Sequence, residues 1–154
     1  MCIRDSSIYL PYATQHRLLT ILQTVLERVC YEFAKRHIED LLRRSGWDCA
    51  ESVELHKWPG LFISFKDRLP LEGIKEGEEV LDFLKQVRDT VVHRKHVSTK
   101  DIERFLLNAE DLATLFEDVD GASKLARLRT RSCLIFADLE RNSRYLDIQL
   151  RDLF

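Results

Sequence analysis

The sequence is poor in the residues that interrupt regular structure, with three prolines and five glycines in 154 positions. That scarcity excludes a collagen-like or low-complexity chain and leaves few places where a helix is forced to stop. Long apolar runs are missing too: no stretch approaches the ~20 residues of a membrane span, and no signal-peptide pattern opens the chain. The expectation is a soluble, cytoplasmic protein with no membrane partner. Four cysteines, at positions 2, 30, 49 and 133, form no close pair and no Cys-x-x-Cys. This argues against a disulfide framework or a zinc site and for reduced thiols, with no metal and no cofactor expected. An excess of one charge is also lacking, since 24 Lys and Arg against 26 Asp and Glu leave a formal net charge of -2. A weakly negative field does not capture nucleic acid by the molecule as a whole, so any such contact must be local.

What is present favours helix. A composition of 45% hydrophobic and 32% charged residues fits a single globular domain that buries about two thirds of its unfolded surface. The abundance of Leu, Glu, Arg, Lys and Ala points to an all-α fold. The expected architecture is an antiparallel bundle of four to five helices, two of them long, at about 13–44 and 122–153. Met1-Cys2-Ile3-Arg4-Asp5-Ser6 resembles the translated end of a sequencing-library transposon adapter. The expected domain is therefore 7–154, and such a scar would make the chain a piece of a longer protein.

Along the chain, Leu18, Leu22, Val25, Val29 and Phe33 recur at three and four residues and line one stripe of the first helix, which Gly46 stops. Cys30 on that stripe reads as core filler, and His16 and His37 as surface or boundary residues. Asp48 with Glu51 reads as a capping pair opening a short helix that ends before Pro59. From Trp58 to Gly77 the periodicity breaks, and Leu61-Phe62-Ile63-Ser64-Phe65 is taken as a connector packed on the bundle. The spacing then predicts a helix from about Glu78 to Arg94, with Val80, Leu81, Leu84, Val87 and Val91 buried. Ser98 with Asp101 caps a further helix, about Thr99 to Asp118, ended by Gly121. A last helical pattern runs from Ala122 through Leu125, Leu128, Ile135, Leu139, Leu146, Leu150 and Leu153, with a break expected at Asn142-Ser143. The short turn from His93 to Ser98 places His93 and His96 at one end of the bundle.

Chemistry concentrates in Arg88-Asp89-Thr90-Val91-Val92-His93, followed at once by Arg94, Lys95 and His96. Here a strong cation, a carboxylate and a group titrating near neutral pH lie together beside an apolar helix face. An imidazole with an ordinary pKa near ~6.5 can take the proton of an RNA 2′-hydroxyl or return one to the leaving oxygen. A guanidinium can hold two phosphate oxygens and stabilise the developing charge. Asp89 can orient a partner, and Arg94 and Lys95 add phosphate affinity. Arg127 and Arg131, four apart, share a helix face that can also touch RNA phosphates. A helix turns ~100° and rises ~1.5 Å per residue, so Arg88 and His93 stand about 140° apart in azimuth and about 7.5 Å apart along the axis. They do not share a face. A two-fold dimer pressing this helix end against its copy would bring both pairs into one groove.

The run Arg88, Asp89, three residues, His93 at a helix end, followed by a capped helix, resembles the HEPN superfamily. The resemblance implies an all-α bundle of four or five helices and a metal-independent endoribonuclease in toxin, antiviral-defence or RNA-processing systems. It implies a site formed across a homodimer, with Arg88, Asp89 and His93 matching the motif residue by residue. The partners it implies are an RNA substrate, a second copy, and an antitoxin or other regulatory protein. The alternative is a non-catalytic HEPN-like module for dimerisation or for RNA or protein binding.

Overall fold

The computed structural model describes residues 8–71 and 77–153, with backbone alone at 77–80 and 153. The adapter-like leader, Cys2 and Gly73, and the side chain of Val80, lie outside that description. The described chain is an all-α bundle: α1 (Tyr12–His37), α2 (Glu39–Arg44), α3 (Trp58–Ser64), α4 (Gly77–Val92), α5 (Thr99–Leu115) and α6 (Val119–Leu153). Three 3-10 turns, Ala50–Ser52, Leu55–Lys57 and Lys66–Arg68, join α2 to α3 and follow α3. α1 packs on α4, α5 and α6; α5 and α6 share the most extensive contact; α3 lies on α4.

α1 forms because its apolar positions fall on one stripe, and Leu19, Leu22, Leu26, Val29, Cys30 and Phe33 are all buried. Burial pushes the Cys30 thiol well up, so this side chain is packing. The long first helix is not continuous. Ile38 leaves helical geometry at φ -137° and ψ 43°, with neither proline nor glycine beside it. The interruption is tertiary: Ile38 and Leu42 are both buried, and α2 swings Asp40 into a two-pronged pair with Arg68 at 2.7 and 3.1 Å. Gly46, at φ 72°, then closes α2 in the left-handed conformation glycine accepts at no steric cost. Trp47 N–H donates to the Leu42 carbonyl at 2.9 Å across that turn.

Two local expectations fail between 48 and 65. Asp48 and Glu51 cap nothing; Cys49 precedes a single 3-10 turn, because the buried Val53 and Leu55 pull the chain back into an extended course within a few residues. The Leu61–Phe65 stretch belongs largely to α3 rather than to a connector. Pro59 sits in the first turn of α3, where its missing N–H has no partner to lose. Trp58 and Phe62 stack at 5.3 Å, and Phe62 meets the edges of Phe33 at 5.6 Å and Phe116 at 5.3 Å. This aromatic cluster joins α3 to α1 and to the end of α5.

α5 opens as expected, with the Ser98 hydroxyl accepting from Asp101 N–H at 3.3 Å. It closes earlier than Gly121, at Glu117, which adopts φ 57° while Asp118 N–H donates to the Ala113 carbonyl. Gly121 lies inside the first turn of α6 instead, and Asp118 caps it by accepting from Gly121 N–H at 2.8 Å. A Cβ at Gly121 would meet Val29 Cγ2 at 2.8 Å, so the glycine permits close approach of α6 to α1. α6 also runs unbroken through Asn142-Ser143. The Arg144–Glu140 pair at 2.7 Å spans that point and the Arg141–Asp138 pair lies in the turn before it, and both support the helix. Its apolar stripe is buried at Leu125 and Phe136 and then emerges from the bundle, leaving Leu146 57% exposed. No helix among the described residues is long and apolar enough to cross a membrane.

Candidate functional site

α4 is held by Leu81, Phe83, Leu84 and Val87, all buried against the bundle. That register turns Arg88 and Asp89 to its half-buried edge. The Arg88 side chain is 24% exposed; its Nη2 lies 3.4 Å from Glu54 Oε2, and its Nη1 lies 3.9 Å from Asp89 Oδ1. Glu54 itself is a surface carboxylate at 60% exposure.

His93 follows the last residue of α4. Its N–H donates to the Asp89 carbonyl at 2.9 Å, and the exposed ring has no hydrogen-bond or ion-pair partner among the described residues. The turn beyond it is well determined by the chain. Arg94 takes the left-handed conformation at φ 53°, and Lys95 N–H donates to the Thr90 carbonyl at 3.1 Å, the bond pattern of a Schellman stop built without glycine. Gln15, 1% exposed, reaches from α1 to fasten the other side of the turn. Its Nε2 donates to the Lys95 carbonyl at 2.7 Å, and its Oε1 accepts from Val97 N–H at 3.0 Å. His96 Nε2 meets the Leu10 carbonyl at 2.7 Å, and the His96 ring is edged by Tyr9 and Tyr12. His96 is thus occupied with holding the N-terminal segment, while His93 is free. Arg94 and Lys95 project as exposed cations beside it.

The structure brings Arg88 together with two residues that the motif does not contain. Glu54 Oε2 lies 3.3 Å from His56 Nδ1 as well as beside Arg88. The His56 contact has the distance of an ion pair but not the angle of a hydrogen bond, and Nδ1 is buried without a hydrogen-bond partner. Local sequence carries only a partial signal for the pair: Val53 and Leu55 are buried and Glu54 between them is exposed, but nothing in that spacing sets the pair beside Arg88. Next to the pair a recess of 430 Å³ is lined by Trp47, His56, Lys57, Gly60, Leu61, Ser64 and Lys85.

Arg127 and Arg131 are exposed on α6, which packs on α5 and α1, whereas the motif rides on α4. No described hydrogen bond or ion pair connects them to Arg88, Asp89 or His93. Between them, Arg129 turns inward to Glu110. A larger groove of 790 Å³ runs along α1 and the start of α6, and it mixes acids such as Glu27 and Glu51 with bases such as Arg28 and Lys124. Burial raises the Glu27 carboxyl there, against the lowering effect of the Gln23 hydrogen bond. That groove involves none of the motif residues. Comparison with family profiles, with curated proteins and with solved structures finds no match for this chain.

Proposed function

We propose that the protein is a metal-independent endoribonuclease of HEPN type, acting at the end of α4 with Arg88, Asp89 and His93. The observation that carries this reading is the contrast within the motif: an unengaged imidazole on a fastened turn, and a guanidinium restrained only by surface carboxylates. Exposed ion pairs are worth about 0–1 kcal/mol, so a substrate phosphate can replace Glu54 at Arg88 at little cost. In the reaction the 2′-hydroxyl attacks the adjacent phosphorus and gives up its proton, the bond to the 5′-oxygen breaks, and that oxygen receives a proton. The products are a 2′,3′-cyclic phosphate and a free 5′-hydroxyl. His93 serves the proton transfers and Arg88 the charge on the phosphorane. Arg94 and Lys95 draw the strand in.

Helix geometry separates Arg88 from His93 within one chain, so the working site pairs Arg88 of one copy with His93 of another. The test is incubation of a single-stranded RNA with the purified protein in excess chelator. Cleavage leaving cyclic phosphate ends, abolished in Arg88→Ala and His93→Ala proteins that retain their helical spectrum and melting temperature, is expected. Undiminished cleavage by His93→Ala would remove the mechanism. A second reading, a non-catalytic module for dimerisation or for RNA or protein binding, is favoured by the Arg88–Glu54 pair. It predicts no cleavage by the wild-type chain and a dimer retained in both variants.

A further inference from the structure

The recess beside Arg88 has the make-up of a ligand pocket. Trp47, Leu61 and Gly60 give it an apolar wall, and Lys57, Lys85 and Ser64 add polar groups around 430 Å³. That volume lies towards the lower end of the ~300–1,000 Å³ usual for small-ligand sites. Lys57 and Lys85 are exposed and form no ion pair among the described residues. The acid beside the recess, Glu54, is already shared between Arg88 and His56. The recess is therefore locally cationic on a chain of net charge -2. Trp47 is half-buried, and its carbonyl accepts from the Tyr31 hydroxyl at 3.3 Å, which steadies the backbone that carries the indole. An aromatic side chain and two ammonium groups without ion pairs among the described residues, lining one recess, suit a base and its phosphate. Lys85 and Arg88, three residues apart, lie on one face of α4, so phosphates of neighbouring nucleotides can meet them in turn.

We infer that this recess is a nucleotide subsite: Trp47 stacks a base, Lys57 and Lys85 hold its phosphate, and the strand passes on to Arg88. The inference rests on the ribonuclease reading for the identity of the strand, but its test does not depend on cleavage. Gly60 lines the recess, and a Cβ there would meet nothing within 4 Å, so a side chain can start from this position, and Gly60→Leu is the variant that tests occlusion of the recess.

The experiment is a titration of tryptophan fluorescence with adenosine 5′-monophosphate, using His93→Ala protein. Trp58 is fully buried, so the response belongs to Trp47, and a Trp47→Phe control abolishes it. Saturable quenching is expected, weakened about tenfold when Lys57 and Lys85 are both changed to Ala and abolished in Gly60→Leu protein with an unreduced melting temperature. Adenosine alone and inorganic phosphate alone each bind more weakly than the nucleotide. No saturable response, or equal binding by Gly60→Leu, overturns the subsite. Cleavage by the wild type without nucleotide binding removes the subsite and leaves the ribonuclease reading standing. Nucleotide binding without cleavage does the reverse.

Discussion

The end of α4 and the arginine face of α6 carry similar charges and are built differently. On α6, Arg127 and Arg131 stand exposed, with no partner among the described residues; each is a solvated charge. On α4, Arg88 is restrained by Glu54 and Asp89, and His93 starts a turn that Gln15 fastens from another helix with two hydrogen bonds. Positive charge alone supplies affinity that salt removes, whereas chemistry needs groups held in place before the substrate arrives. Of the two regions, the α4 end is the one in which a guanidinium is restrained and the backbone beside the imidazole is fastened.

Activity should divide the two regions most sharply. Arg88→Ala or His93→Ala is expected to slow cleavage by at least about 100-fold. The double variant Arg127→Ala, Arg131→Ala keeps the rate at saturating RNA and flattens the log–log salt dependence of binding by about 0.7 for each phosphate that is no longer neutralised. A fall in the saturated rate of that double variant would erase the distinction. The fastening of the turn is tested by Gln15→Leu, which leaves the Lys95 carbonyl and Val97 N–H unpaired. Denaturant unfolding should show a destabilisation of about 2–4 kcal/mol, with faster hydrogen exchange at Val97; an unchanged midpoint would mean that the turn holds itself.

Arg94→Gly relieves a left-handed residue and should raise stability by about 1 kcal/mol in thermal unfolding, with a weaker grip on RNA. A destabilised variant would show that the Arg94 side chain contributes more than its backbone costs. The smallest effect is expected at Asp40, far along the chain from both regions. The Arg68 guanidinium, by hydrogen bond and charge, lowers its carboxyl to about 2. A lowered carboxylate contributes above its ordinary range near ~4 and loses that contribution as pH falls through the folded value. The difference in melting temperature between wild type and Asp40→Asn should therefore be small at neutral pH, because both partners are exposed, and should vanish below pH about 2. A difference that persists there assigns Asp40 a role other than this pair.

The long elements were legible in the sequence because burial writes a period into it. The α1, α4 and α5 stripes, the Ser98 cap and the Gly46 stop follow from spacing and local chemistry, whereas of the described positions expected to line α6 only Leu125 is buried, and Ile135, Leu146 and Leu150 are exposed. The misreadings share one cause, which is that contacts distant in sequence overrode local signals. Ile38 breaks a helix that contains no breaker, Glu117 takes the left-handed position expected of Gly121, and Pro59 opens a helix rather than ending one. In the candidate site, Arg88 to His93 was visible as a run. Its surroundings were not, because Gln15 and Glu54 lie 34 to 82 residues from the groups of the turn and of Arg88 that they meet. Spacing within one segment cannot register such contacts.

The claim that the site is assembled from two chains is tested most directly by mixing the two inactive proteins. Arg88→Ala and His93→Ala subunits, unfolded together and refolded, would form mixed dimers in which one of the two sites keeps an intact Arg88 facing an intact His93. Statistical mixing predicts recovery of about a quarter of wild-type RNA cleavage. A mixture as inactive as either parent would contradict the composite site.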